Sequence, residues 1–229
     1  MILTYHSGAC IRAQAGDTTL VFAPISKQSK DLKPTNFGAD VALIPLIHPD
    51  MNGAEEVRGR PRKDGAEGAV HGASNQPFVI SGPGEFEIKD VTVTGFGSGS
   101  KWDGEPRTNT IYSVLFDGLS ILYLGAQGEL EMPGEVLEMD SPDVLILPVG
   151  GNGALTPAEA QKLAVTLESK IIIPVLYDLP RDAAGKAGDK TLKQFLKEAG
   201  EENTKPVDKL TLKPRDVVGK ESEVVVLSC

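Results

Sequence analysis

The sequence ADVALIPLIHPDMN, residues 39–52, decides the fold. The apolar run from Val41 to Ile47 is short and bounded by a glycine and a proline, and such a run predicts a strand buried on both faces. His48 and Asp50 follow it directly. Because ligands bind beyond the carboxyl ends of the strands in open α/β sheets, these two side chains are the first candidate site residues.

The first half of the chain favours strands over helices. Strands are predicted at 2–5, 9–14, 18–22, 40–47, 77–80, 85–88 and 91–94, and Asp117-Gly118 predicts a hairpin between 110–116 and 119–124. The glycine-rich segment 97–108, which contains Trp102, predicts a loop.

Helices are predicted late in the chain. Thr156, Pro157 and Glu159 form a capping-box signature for a helix over 156–168. The remaining elements are a strand at 143–148, a strand at 171–175, short helices near 133–139 and 190–199, and terminal strands at 205–212 and 223–228. This order predicts an α/β (α+β) fold, a four-layer αββα sandwich forming one domain over residues 1–229.

The charge balance argues against nucleic acid as a partner. The net charge is −9, and an acidic chain needs a concentrated basic patch to bind phosphates. The one candidate patch, Arg58, Arg60, Arg62 and Lys63, is interrupted by acidic residues and is interpreted as a solvated loop, with an anion or RNA contact as the alternative. No apolar stretch is long enough to span a bilayer and no signal peptide is present, so we expect a cytoplasmic protein without a membrane partner.

Three further features carry weaker predictions. Cys10 is expected in the core and Cys229 as an exposed thiol, since two cysteines form neither a metal motif nor a disulfide framework. The loop at 150–153, between a strand and a capped helix, is a candidate anion cradle that lacks the spacing of known phosphate-binding motifs.

Several segments together resemble the metallo-β-lactamase superfamily, and most of all its branch of ascorbate-6-phosphate-lactonase-like, Zn-dependent hydrolases. They are LTYHSGACIRAQAGDTTLVFAP (3–24), FGADVALIPLIHPDMN (37–52), PFVISGPGEFEIKDVTVTG (77–95), NTIYSVLFDGLSILYLGAQG (109–128), DVLILPVGG (143–151) with TPAEA (156–160), and KIIIPVLY (170–177). The resemblance implies an αββα fold and hydrolysis assisted by one or two metal ions bound at the strand ends.

Most positions that the resemblance assigns to metal ligands hold side chains that cannot bind a metal. In the family pattern H-x-H-x-D-H, His48 and Asp50 match, whereas the other ligand positions of the family are occupied by Gly8, Leu46, Met51, Ser100, Ala126 and Leu176. A zinc site needs three or four ligands, and His6 and His71 are the chain's other histidines. We therefore expect no cofactor and no metal, with zinc or manganese as the alternative.

Two interpretations of His48 and Asp50 remain open. In the structural one, Asp50 caps a following helix and its carboxylate orients the imidazole; in the other, both residues keep a ligand-binding or acid–base role. We expect a non-catalytic relative that serves as a scaffold, a homo-oligomer, or a binder of a small molecule or protein partner. The alternative is a metal-dependent hydrolase of lactone, ester or phosphodiester substrates using a reduced site around His48 and Asp50.

Overall fold

Two mixed β-sheets face each other in the computed structural model, which describes residues 1–59, 76–150, 152–177 and 189–229. The strands are β1 (Ile2–Tyr5), β2 (Ile11–Ala15), β3 (Thr18–Phe22), β4 (Gly38–Ala39), β5 (Val41–Ile44), β6 (Arg58–Gly59), β7 (Phe78–Ser81), β8 (Gly84–Ile88), β9 (Val91–Ser100), β10 (Arg107–Phe116), β11 (Leu119–Tyr123), β12 (Val144–Pro148), β13 (Ile171–Val175), β14 (Leu210–Thr211) and β15 (Glu223–Val224). The six-stranded sheet has the order β14-β1-β2-β3-β5-β7, and the seven-stranded sheet has the order β15-β13-β12-β11-β10-β9-β8.

The helices are α1 (Gly134–Leu137), α2 (Pro157–Leu167) and α3 (Asp189–Glu198), with 3-10 turns at Ala54–Glu56, Trp102–Gly104 and Pro214–Val217. All three α-helices contribute apolar side chains to one cluster on the outer face of the seven-stranded sheet. A second and larger cluster lies between the two sheets. The predicted α/β sandwich is confirmed. No helix in the described ranges is long and apolar enough to cross a membrane.

The predicted βαβ unit is confirmed in its details. Strands β12 and β13 are parallel neighbours, with Val144 opposite Ile171. The connecting helix α2 begins at the predicted capping box, where the Thr156 hydroxyl accepts the Glu159 N–H at 3.3 Å and the Thr156 N–H donates to the Glu159 carboxylate at 2.9 Å. Cap and proline together fix where the helix starts.

An ion pair lies directly before the start of β12. The Asp143 carboxylate lies 2.6 Å from the Lys170 ammonium and accepts the Ser120 N–H at 2.9 Å. Burial acts to raise the pKa of Asp143, but the Lys170 and Ser120 contacts outweigh it and hold that pKa below its usual value.

The Tyr112 hydroxyl joins the two sheets. It donates to the Ile44 carbonyl at 2.8 Å, lies 3.2 Å from the Ile80 carbonyl, and accepts the Gly82 N–H at 3.2 Å. Burial raises the pKa of Tyr112 to about 12. Because Ile44 is the last residue of β5, this contact holds the strand end that leads to His48.

Several predicted boundaries are wrong for identifiable reasons. The strand predicted at 40–47 ends at Ile44, since Pro45 has no N–H to continue the ladder. Half of the predicted loop at 97–108 is strand, because β9 continues to Ser100 and pairs there with Arg107 of β10. The terminal strands shrink to Leu210–Thr211 and Glu223–Val224, next to an isolated bridge between Val207 and Leu227.

The structure describes the two cysteines and Arg58, whereas the other predicted basic residues and His71 lie outside the described residues. Cys10 is buried and Cys229 is exposed, as expected. Arg58 is exposed on β6, whereas Arg60, Arg62, Lys63 and His71 fall in the range 60–75, outside the described part of the chain.

Candidate functional site

The imidazole of His48 is the centre of a polar cluster beyond the end of β5. Its Nδ1 accepts the indole N–H of Trp102 at 3.2 Å and the backbone N–H of Asp50 at 3.3 Å. Its Nε2 lies 2.9 Å from Oδ2 of Asp103. Since two N–H groups point at Nδ1, that nitrogen carries the lone pair and Nε2 carries the hydrogen that is donated to Asp103.

Asp50 contributes a second carboxylate to the cluster. Its Oδ2 lies 3.3 Å from Nδ1 of His48, and its Oδ1 accepts the Ser29 hydroxyl at 2.6 Å. The side chain is only 8% exposed, so the Ser29 hydroxyl compensates part of the cost of burying the charge.

The expectation that Asp50 caps a following helix is wrong. The next helical turn is the short 3-10 segment Ala54–Glu56, and its N-cap residue is Gly53. Gly53 packs against the backbone of the loop after β3, where an added Cβ would lie 2.2 Å from the Ile25 carbonyl carbon. The chain therefore turns away from Asp50 before any longer helix can start.

Asp103 is a site residue that the sequence did not reveal. It has a left-handed backbone with φ of 57°, and its N–H donates to the Asn152 carbonyl at 3.1 Å. The Asn152 side-chain amide donates in turn to Oδ1 of Asp103. The one available signal was a tryptophan inside a glycine-rich segment: Trp102 is fully buried, and it anchors the turn that presents its neighbour.

The loop after β12 holds this turn in place. Gly153 lies so close to the Lys101 backbone that an added Cβ would sit 2.0 Å from the Lys101 carbonyl oxygen. Gly153 also has a φ of 100°, which favours glycine. Asn152 and Gly153, which the sequence suggested for an anion cradle, thus position Asp103; Gly151 lies outside the described residues.

The positions that the family resemblance assigns to metal ligands are packed as core. Leu46, Met51, Ala126 and Leu176 are all at most 1% exposed and belong to the cluster between the sheets. At Gly8, an added Cβ would lie 2.7 Å from a Leu32 methyl group, and the Gly8 carbonyl accepts the Leu176 N–H at 2.8 Å. Ser100 is 3% exposed, and its hydroxyl makes no hydrogen bond within the described structure.

The described side chains do not fit a closed metal site. Within residues 1–59, 76–150, 152–177 and 189–229, no group of three or more His, Cys, Asp or Glu is placed to hold a metal ion. The carboxylates of Asp50 and Asp103 approach different nitrogens of His48, and both nitrogens are already occupied by hydrogen bonds. Zinc sites instead direct three or four ligands at one point.

Comparison with known protein families identifies the class of protein to which the chain belongs. Residues 2–176 match the model of the β-lactamase superfamily domain. The chain belongs to that superfamily.

Its relatives are named metal-dependent hydrolases. A UPF0173 metal-dependent hydrolase of Bacillus licheniformis is 27% identical over 195 residues, covering 77% of this chain and 85% of the relative. The UPF0173 metal-dependent hydrolase YtkL of Bacillus subtilis is 25% identical over 195 residues, covering 78% and 86%. A solved structure from Thermotoga maritima is described as a Zn-dependent hydrolase candidate of the metallo-β-lactamase superfamily. Its comparison with this chain gives a TM-score of 0.67 at 26% identity and covers 99% of this chain and 97% of the other.

The names of these relatives bear on two predictions made from the sequence, that of the cofactor and that of a non-catalytic protein. The expectation that no cofactor is used is contradicted, because relatives that cover most of the chain are named metal-dependent hydrolases. The same names fit the hydrolase alternative better than the expectation of a non-catalytic relative.

Proposed function

We propose that the chain is a metal-dependent hydrolase of lactone, ester or phosphodiester substrates, with a reduced site around His48 and Asp50. The observation that carries this proposal is the cluster itself. A histidine that is hydrogen-bonded to the Asp103 carboxylate and the Trp102 indole, with the Asp50 carboxylate beside it, lies beyond the carboxyl end of a buried parallel strand, where α/β proteins place their ligands. The names of the relatives support the same class of reaction.

The side chains in the cluster have distinct acid–base roles in this proposal. The Asp103 side chain is 41% exposed, whereas that of His48 is 17% exposed, so substrate or water meets the Asp103 carboxylate first. His48 Nε2–H donates to that carboxylate, and the Trp102 indole keeps the imidazole in the required tautomer. These acid–base roles are those of the side chains, and His48 and Asp50 are the described residues that would hold the metal ion of the proposed reduced site.

Metal content measured together with turnover tests the proposal. Protein expressed with added zinc and manganese is analysed by inductively coupled plasma mass spectrometry and screened with lactone, ester and phosphodiester substrates. We expect near-stoichiometric metal and measurable turnover, both lost in the double variant His48→Ala/Asp50→Ala. A His6→Ala variant is the matched control, since the ring centroids of His6 and Phe37 lie 4.4 Å apart and His6 takes no part in the cluster.

Two outcomes would contradict the proposal. Metal well below stoichiometric amounts, unchanged in the double variant, together with no turnover on any substrate class, would refute the proposal. Turnover that survives in His48→Ala/Asp50→Ala but not in His6→Ala would place the reaction elsewhere.

A second candidate function is a non-catalytic binder or self-associating scaffold. The observation that favours it is the apolar packing of Leu46, Met51, Ala126 and Leu176 at positions that the family uses for chemistry. Analytical ultracentrifugation tests self-association: a single monomeric species across the accessible concentration range would reject the homo-oligomer.

A further inference from the structure

A groove lies on the outer face of the seven-stranded sheet, at the end opposite to the His48 cluster. Its volume is about 280 Å³, and it is formed where β11 and β12 begin. Its lining includes Val136 and Leu137 of α1, residues 166–168 at the end of α2, and Ser120 of β11. We call it the acidic groove.

Large apolar side chains are exposed around it. Leu137 is 49% exposed and Met139 is 39% exposed, and both line the groove. Leu115, 53% exposed, lies opposite Ser120 in the strand register. Side chains of this size cluster on a surface chiefly where a partner covers them.

Most of the residues that line the groove come from a stretch of sequence that carries charge of a single sign. Between residues 108 and 161 the chain has no Lys, Arg or His, and its acidic residues are Asp117, Glu129, Glu131, Glu135, Glu138, Asp140, Asp143 and Glu159. Three of these carboxylates are paired, Asp117 with the Met1 ammonium, Glu129 with Lys101 and Asp143 with Lys170. The acidic side chains that line the groove are Asp140 and Glu168, and none of the lining residues is basic.

The end of α2 adds to the negative potential. Thr166, Leu167 and Glu168 line the groove at the carboxyl terminus of this helix, whose last turn contains no basic residue. A helix carboxyl terminus carries partial negative charge and favours a cation nearby. The nearby Lys170 does not supply that cation, since its ammonium is held by Asp143 at 2.6 Å.

We propose that the acidic groove docks a basic amphipathic helix of a protein partner. The apolar face of that helix packs on Leu115, Leu137 and Met139, and its Lys or Arg side chains approach Asp140, Glu168 and the end of α2. The partner is identified by charge complementarity together with the exposed apolar surface, a combination typical of helix-in-groove recognition.

A model peptide tests the proposal without knowledge of the natural partner. The probe is a fluorescein-labelled amphipathic helix of leucine and lysine, about 18 residues long (five turns). Its binding is measured by fluorescence anisotropy at an ionic strength of about 0.15 M. We expect saturable binding, weaker binding of a scrambled peptide of the same composition, and no binding of a peptide with glutamate in place of lysine.

Two protein variants locate the binding site, and one controls for net charge. Asp140→Lys/Glu168→Lys should weaken binding by at least about tenfold, and Leu137→Ser/Met139→Ser should do so without any change of charge. Glu85→Lys/Glu87→Lys, which carries the same charge change onto exposed positions of the edge strand β8, should leave the affinity within about twofold.

Three results would overturn the proposal. They are the absence of saturable binding, equal binding of the scrambled peptide, and equal weakening by the groove and β8 charge variants. The last two would show attraction to the net charge alone. The midpoint of thermal unfolding of each variant establishes that it is folded, so that a loss of binding is attributed to the surface.

Discussion

Replacing Tyr112 with phenylalanine removes the hydroxyl that joins the two sheets, and its effect can be estimated from the contacts. The variant keeps the ring but leaves the Ile44 carbonyl and the Gly82 N–H without this partner. A polar group left unsatisfied in a protein interior costs about 1–3 kcal/mol. We expect the free energy of unfolding to fall by about 2 kcal/mol, which corresponds to about 4–8 °C in the midpoint for a chain of this size.

Urea and thermal unfolding followed by circular dichroism measure the change, with Tyr123→Phe as the matched control. The Tyr123 hydroxyl makes one bond, to the Ala9 carbonyl at 3.0 Å, so this variant should lose about 1 kcal/mol. A loss in Tyr112→Phe no larger than that in Tyr123→Phe would refute the reasoning that the additional contacts of the Tyr112 hydroxyl add to the stability.

The same side chain gives the unfolding a signature in alkaline solution. Burial raises the pKa of Tyr112 to about 12 in the folded protein, whereas an unfolded tyrosine titrates near 10. The folded state therefore binds the proton more tightly, and this stabilisation is complete below pH about 10 and declines as the pH rises to about 12. Tyr112→Phe should reduce the slope of stability against pH in that window.

Three further outcomes are expected. Gly53→Ala should lower the unfolding midpoint by several degrees, because the new Cβ would lie 2.2 Å from backbone atoms of Ile25 that cannot move aside. Asp143→Asn should reduce the loss of stability that the wild-type protein shows as the pH falls from about 5 to about 3. A carboxyl whose pKa is lowered on folding stabilises the folded state above its unfolded pKa and loses that contribution as the pH falls. A wild-type curve of stability against pH that is as flat as that of the variant would contradict this. In the native protein, dithionitrobenzoate should modify only Cys229, because burial raises the pKa of Cys10 to about 12; urea should expose the second thiol.

Local signals in the sequence were sufficient for much of the fold. The capping box of α2 and the Asp117-Gly118 hairpin depend on side chains within a few residues of each other, and both appear in the structure as predicted. Both residues of the hairpin turn adopt positive φ, of 54° and 71°, as the tight hairpin turn requires. Such contacts need no knowledge of the rest of the chain.

The extent of β9 was not predictable in this way. Its last four residues, 97–100, alternate glycine and serine, which are weak strand formers. They are extended because ten residues of β10 pair with β9 in continuous register. Pairing with a neighbouring strand overrides the local preference of that segment.

The candidate site was predictable only in part for a related reason. His48 and Asp50 follow a recognisable strand, and the structure places them together. Asp103 lies 55 positions from His48 in the sequence and reaches it through a turn held by Asn152 and Gly153. No short-range pattern encodes that meeting, and only the docking of the loops after β9 and β12 creates it.

The three loops that meet at His48 have a consequence for how the chain folds. They come from positions near 48, 103 and 152, so the cluster closes two large loops of sequence, and contacts of such high separation form slowly. Trp102, the only tryptophan, lies at the point where they meet. Its fluorescence in a refolding experiment therefore follows the joining of the two sheets, a later event than the formation of either one, and the signal should lag behind the recovery of far-ultraviolet circular dichroism.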